Sequence, residues 1–422
     1  MGEATWRATQ PKVSRHRSSP QSPLSLVRGI AHLMLNSNAH PRRKYYFDAR
    51  VIQDHFPGIG RYAYNLLAAL PDELDEDESI IALFDPSALN TRFDLNRLNH
   101  PKLERIECRA PLFHPANLLR PPIAALPAVV SHYPYYVRPY ISPAHSVTTL
   151  HDLIPLAQPH FVPTARDRLL IWILTALAAH ASTMLITVSE ASARDIRHTW
   201  PRLRKPVIVI PEAADPIFIP QSVERCAMVR AKYNLPERFV LYLASNKPHK
   251  NLVRLIEAWA LLNAQRSGTA EVLVIAGHQD PRYPQAQDRA RTLGIADRVR
   301  FIGEVRNDDM PALYSACALF VFPSLYEGFG LTPLEAMACG APVACSNASS
   351  LPEVVGDAAL LFDPTRPEEI AATCARILHD ATLRHQMHAA SLRQAARFTW
   401  AKTARRTLEV YRHVAASADG QR

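Results

Sequence analysis

Short apolar runs bounded by turn residues recur along the chain from residue 45 onward. Enrichment in β-branched and aromatic residues predicts strands over 45–52, 80–84, 105–109, 146–151, 184–189 and 207–211. Helical spacing of apolar positions predicts helices over 61–70, 166–180 and 190–200. A second series follows, with strands over 239–244, 271–277, 299–303, 319–323, 342–346 and 359–362. Its helices fall at 252–265, 285–293, 309–316, 333–339 and 368–379. Strands apolar along their length and separated by helices belong to parallel sheets covered on both faces. Two such series predict an α/β protein of two doubly wound, Rossmann-like domains facing a cleft. The proline-rich stretch 207–222 marks their boundary. The expected organisation is a tail over 1–43, an N-terminal domain over 44–210 and a C-terminal domain over 211–400. A last helix over 401–422 has no strand after it and is expected to pack back at the domain junction. The apolar run 169–179 is about half the length of a membrane-spanning helix and reads as a core helix.

Charge alters this picture at one end only. The chain has 422 residues, 48% hydrophobic and 21% charged, ordinary for a soluble globular protein. The formal net charge is +9, but eight Lys or Arg and one Glu lie within residues 1–44, so +7 of it sits in the tail. The body carries no basic surplus that calls for nucleic acid. The tail has two readings, an inert disordered extension or a contact for an anionic membrane surface. The six cysteines show no metal-like or CxxC spacing and read as buried, reduced thiols of a cytoplasmic protein. No secretory signal is legible.

Ligands of open α/β sheets bind beyond the carboxyl ends of the strands, so the loops after strands should carry function. The segment 324–343, SLYEGFGLTPLEAMACGAPV, is such a loop. Gly328 and Gly330 permit positive φ and close backbone approach. The helix that follows offers free N–H groups to an anion. Two carboxylates, Glu327 and Glu335, flank that anion site. For Glu335 two readings compete. One is closure of a capping box, Thr332-Pro333-Leu334-Glu335, with proline at the first helical position. The other is acceptance of hydrogen bonds from sugar hydroxyls. Glu327 precedes the helix, so a capping box leaves it unexplained. A diphosphate held by N–H groups, with a sugar at each end, would use both features, and a nucleotide-sugar has that shape.

EGFGLTPLEAMACGAPV, extended by SNASSLPEVVGDAALLFDP, resembles the Glu-x7-Glu signature of retaining glycosyltransferases with the GT-B fold, most of all glycosyltransferase family 4. The resemblance runs from about residue 44 to the C-terminus. It implies that Glu335 binds the ribose hydroxyls and that Glu327 lies near the transferred sugar. Gly328, Phe329, Gly330 and Leu331 would present backbone to the diphosphate and hexose. In LYLASNKPHKN (241–251), Lys250 matches the family's diphosphate-binding lysine. His249 stands where the family commonly has arginine, and Lys247 is the candidate to replace it. In QDHFPGIGRYAYN (53–65), Gly58 and Gly60 resemble a glycine-rich loop near the donor phosphates, with Arg61 beside it, although GIG alone also fits a tight turn. In VTTLHDLIPLAQPHF (147–161), His151 matches a histidine at the reacting centre, and Asp152 reads as orienting the loop. Val305, closing VRFIGEV, falls where relatives bind the base through backbone groups. Ser189 of VSEASARDI reads as a helix N-cap without chemistry. The tyrosines of SHYPYYVRPY (131–140) fit sugar stacking, a membrane interface or the packing of a long loop. Asp75-Glu76-Asp77 imitates a metal-binding Asp-x-Asp, but it lies before a strand, away from the cleft, and reads as a solvated turn.

GIGRY, HDLIPL and VSEASARDI together resemble bacterial mannosyltransferases that build cell-surface polysaccharide. The resemblance implies His151, Lys250 and Glu327 at the chemistry and GDP-mannose as the leading nucleotide diphosphate sugar. The implied acceptor is a lipid-linked or cell-surface glycan, the enzyme itself is expected to be cytoplasmic or peripheral on the cytoplasmic face of the inner membrane, and no metal or cofactor is expected. A UDP-sugar donor, a nucleotide-sugar epimerase or hydrolase, and a non-catalytic sugar-nucleotide binder stay open at this point.

Overall fold

The computed structural model describes residues 43–110, 112–113, 115–119, 128–142, 145–158, 164–264 and 270–419. The basic tail, with both readings attached to it, lies outside them up to residue 42. The first sheet holds β1 (Arg43–Asp48), β2 (Glu78–Phe84), β3 (Leu103–Glu107), β4 (Val130–Tyr133), β5 (His145–Thr149), β6 (Met184–Thr187) and β7 (Val207–Val209), in the order 3-2-1-4-5-6-7. The second holds β8 (Phe239–Leu243), β9 (Val272–Ala276), β10 (Val299–Gly303), β11 (Leu319–Phe322), β12 (Val343–Ser346) and β13 (Leu360–Phe362), in the order 10-9-8-11-12-13. All neighbours pair in parallel. β8, β11 and β12 are buried along their whole length, which is why their sequences read as unbroken apolar runs. Each sheet reverses its winding once, at β1/β4 and at β8/β11, and the loops leaving those four strands diverge to leave room for a ligand.

β4 has no counterpart among the strands expected from the sequence. Its VSHY is too polar to read as a central strand, yet all four residues are buried. Side-chain hydrogen bonds make this tolerable: His132 Nδ1 meets the Tyr411 hydroxyl at 2.5 Å, and Nε2 meets Thr149 Oγ1 at 2.8 Å. Burial pushes the His132 pKa down to about 3.

Six helices matter below: α1 (Pro57–Ala69), α2 (Ala165–Ala181), α3 (Glu190–Thr199), α4 (Leu331–Ala338), α5 (Leu351–Val355) and α6 (Trp400–Asp419). α1 begins at Pro57, so Gly58 and Gly60 sit inside its first turn rather than in a loop before it. Gly60 is small because a Cβ would lie 2.9 Å from the Val51 carbonyl, whereas Gly58 has open space around it. α2 is not the core helix expected of its apolar run. It buries only Thr175, Ala178 and Ala179 and leaves most of its large apolar side chains in solvent. α6 lies on the first sheet, with Leu408 and Tyr411 buried there. Its Arg412 binds Glu78 at 2.6 Å and Asp75 at 3.0 Å, so the acidic turn is tied to a helix at the far end from the cleft.

α3 belongs to the first half of the chain, but a residue of the second half caps it. The N–H groups of Glu190 and Ala191 donate to the two carboxylate oxygens of Glu353, on α5, at 2.8 Å each. Ser189 accepts from the Ser192 N–H at 3.0 Å, which makes it the N-cap read from the sequence. The Tyr326 hydroxyl reaches Asp195 on the same helix. Charge-assisted caps of this kind contribute about 1–2 kcal/mol. Replacing Glu353 by Ala should therefore loosen the two halves without unfolding either. Small-angle scattering of the ligand-free protein should report a larger radius of gyration at unchanged far-ultraviolet dichroism, and an unchanged radius would show that the cap does not hold the halves together.

Candidate active site

Two cavities open between the sheets at the switch-point loops and share Gly58, Ser245 and Lys250. The first, about 500 Å³, is lined by His151, Lys247, Lys250 and Glu327. The second, about 330 Å³, is lined by Arg61, Val305, Leu331, Thr332 and Glu335. Their sizes suit parts of one extended small molecule.

In the first cavity His151 sits just past β5. Its Nδ1 is 3.0 Å from Glu212 Oε1, and its Nε2 is 3.0 Å from the Pro134 carbonyl. Tyr62 packs against the ring edge-on at 4.6 Å. Asp152 accepts from the Ile154 N–H at 2.9 Å, the loop-orienting role read for it. Across the cavity Lys250 Nζ donates to Glu327 Oε1 at 2.6 Å, and Ser324 Oγ donates to the same oxygen at 2.5 Å. Oε2 stays uncommitted among the described residues. Lys247 is exposed at the mouth.

In the second cavity Glu335 does not cap its own helix. α4 starts at Leu331, with Gly330 as its cap at φ +119°, so Glu335 lies more than a turn inside. The capping box fails because the chain turns helical before Thr332 and leaves no place for its hydroxyl as N-cap. Instead Glu335 Oε1 receives Arg61 Nη1 at 2.5 Å, and the Tyr314 hydroxyl is 3.5 Å from Oε2. Burial pushes the Glu335 carboxyl up to about 6, against the pull of Arg61. Arg61, from the opposite domain, is thus neither a surface residue nor aimed into open space.

The remaining predicted residues form the wall behind these groups. A Cβ on Gly328 would lie 2.7 Å from the His151 carbonyl, so this glycine serves close approach, while Gly330 alone uses positive φ. The Phe329 ring points away, onto Phe398 at 5.9 Å, and its carbonyl accepts from Ser350. The structure therefore gathers His151, Lys247, Lys250, Glu327, Glu335, Gly58, Val305 and Leu331 around one cleft, and sets Gly60, Gly328, Phe329 and Gly330 behind it. Glu212 and Ser324 were not singled out in the sequence. Glu212 had a signal, a carboxylate just beyond β7 in the interdomain connector, whereas Ser324 had none.

The sequence profile described as "Glycosyl transferases group 1" matches residues 229–394. O-antigen chain mannosyltransferase B of Escherichia coli is 31% identical over 386 residues, covering 87% of this chain and 99% of that protein. The serotype-specific mannosyltransferase WbdA of Escherichia coli is 33% identical over 277 residues, 63% of this chain and 33% of the relative, so the chain spans about a third of that protein. Among solved structures, sucrose-phosphate synthase of Thermosynechococcus elongatus superposes with a TM-score of 0.69 at 21% identity, over 89% of this chain and all of that one. This likeness gives the two-domain architecture its name, the GT-B fold.

A carboxylate near pH 6 makes the second cavity pH-sensitive. Below about pH 6 Glu335 takes up a proton and loses part of its capacity to accept hydrogen bonds. Calorimetric titration with GDP should show affinity falling between pH 7.5 and 5 more steeply in the wild type than in Glu335→Gln. Protonation of the phosphate itself is common to both proteins, so parallel profiles would remove Glu335 from the binding site.

Proposed function

The chain belongs to the group 1 glycosyl transferases, and from that premise we propose a retaining mannosyltransferase that moves mannose from GDP-mannose to a hydroxyl of a lipid-linked or cell-surface glycan. The observation that carries this reading is the division of the cleft into two cavities joined at Lys250. The nucleoside would lie against Val305 and Glu335. The diphosphate would lie at Lys250 and the first amides of α4, and the hexose at His151 and Glu327. The choice of mannose follows the name of the Escherichia coli relative that aligns over nearly its whole length.

Lys250 is held by Glu327 and Arg61 by Glu335. Donor binding exchanges these partners: the cations turn to phosphate and the carboxylates to hydroxyls. The acceptor oxygen then attacks the anomeric carbon on the face from which the diphosphate departs. As the glycosidic bond forms, the bond from carbon to phosphate oxygen breaks, and the acceptor proton passes to that leaving oxygen. Lys250, Lys247 and the α4 amides stabilise the charge growing on GDP, which makes them the main lever on rate and lets the reaction run without a metal. His151, fixed at both nitrogens, keeps its place beside the reacting carbon.

GDP release with a polysaccharide-precursor acceptor should be faster from GDP-mannose than from UDP-sugars, should persist in EDTA, and should give a product with the anomeric configuration of the donor by NMR. Glu327→Ala should lower kcat on the order of a hundredfold, and Glu335→Ala should act mainly on KM. Equal turnover by Glu327→Ala, or donor hydrolysis as the main reaction with acceptor present, would reject the assignment.

A further inference from the structure

Helix α2 contradicts the usual segregation of side chains. Leu169, Leu170, Trp172, Ile173 and Leu177 are between 40% and 58% exposed. At 3.6 residues per turn they fall within an arc of about 160°. The opposite side, with Thr175, Ala178 and Ala179, faces the sheet. Leu119 and Ile141, also exposed, extend the patch. Their strands of backbone are bonded to each other, and the neighbouring Tyr140 hydroxyl reaches the Leu174 carbonyl of α2. Apolar surface of this continuity marks an interaction site.

Charge decides the partner. Arg166 and His180 stand on the exposed arc at the two ends of the apolar stripe. Lys205 holds the following loop to the end of α2 by bonds to the His180 and Ser182 carbonyls, and this brings the exposed Arg202 and Arg204 to the same end. Asp167 is the sole acid in the helix. A second copy docked about a two-fold axis would place basic end against basic end with little acid to pair them. An anionic surface meets both ends and the stripe at once. No described helix is long and apolar enough to cross a membrane, and α2 has 17 residues, so it would lie in the surface rather than span it.

We propose that the exposed face of α2 docks on an anionic lipid bilayer, with Trp172, Ile173 and Leu177 among the headgroups and the basic ends on lipid phosphates. The inner side of the same helix contributes Ile171 and Thr175 to the cavity that holds His151 and Glu327. Docking there sets the cavity beside the membrane, where a lipid-linked acceptor is held. Only this last step rests on the transferase reading.

The test is sedimentation of the full chain with vesicles of phosphatidylcholine alone, or with about a third phosphatidylglycerol, at about 0.5 M NaCl, where screening confines charge attraction to a few ångströms. The wild type should partition onto the anionic vesicles. The triple variant Trp172→Gln, Ile173→Gln, Leu177→Gln should lose at least about tenfold in partition at an unchanged melting temperature, because three exposed apolar side chains no longer enter the bilayer. Wild-type partition by the variant, or no binding by the wild type, overturns the proposal. So does a lipid-free dimer that the triple variant converts to a monomer. Transfer to a water-soluble acceptor should be the same in both proteins. Its absence in both, with vesicle binding intact, would count against the transferase reading and leave the bilayer contact standing.

Discussion

The approach of Gly328 to His151 governs the architecture of the cleft. A Cβ here would lie only 2.7 Å from the His151 carbonyl, so any other residue would force the backbone on one side of the contact to shift. The Gly328 carbonyl accepts from Ser189 at 2.6 Å and from Ser192 at 3.1 Å, and Ser192 also donates to the His151 carbonyl at 3.0 Å. One turn of the second domain is thereby pinned between a loop and a helix start of the first. The flanking residues inherit their directions from this contact. Glu327 goes to the cavity and Lys250, while Phe329 goes to Phe398 and the core behind.

Charge in the cleft is arranged in pairs. Glu327 meets Lys250 and Glu335 meets Arg61. Burial makes this necessary, since an unpaired charge in such surroundings costs several kcal/mol. The pairs are not equivalent. Lys250–Glu327 lies within one domain and survives any relative movement, whereas Arg61–Glu335 spans the cleft and needs it closed. The cost of burial falls on Glu335, whose pKa rises, while Arg61 keeps its charge. The Arg61–Glu335 side of the cleft is therefore the side where a ligand and closure would compete for the same groups.

Most of the scaffold was legible because parallel strands covered on both faces cannot hide: LFVF and FVLYL have few other uses. What escaped was held by distant partners. β4 is polar and is stabilised by Tyr411, far along the chain. The exposed face of α2 escaped because an apolar run states its hydrophobicity and says nothing of which side is covered. Single residues of the site were legible where they followed strands, as with His151, Lys250 and Glu327. Their pairings were not, since Glu212, Arg61 and Glu353 act across the junction and no local spacing encodes that. The Glu335 capping box failed for a local reason, a helix that starts at Leu331.

Two neighbouring helix starts show how this sequence separates holding from binding. Every helix begins with N–H groups that need acceptors. At α3 the first three are consumed, two by Glu353 and one by Ser189, so that start is closed to ligands and joins the domains. At α4 no described side chain caps the start. Pro333 has no N–H, and the Leu334 N–H already serves the Gly330 carbonyl at 3.3 Å. Only Leu331 and Thr332 are left with donors to offer, and both residues line the second cavity. The choice of Gly330 over serine or threonine as cap, followed by proline two residues past the first helical position, leaves a pair of donors for an outside acceptor. Such a pair has the spacing to meet the adjacent oxygens of a phosphate, while the two acids stand aside from the helix start, each on a cation of its own, Glu327 on Lys250 and Glu335 on Arg61.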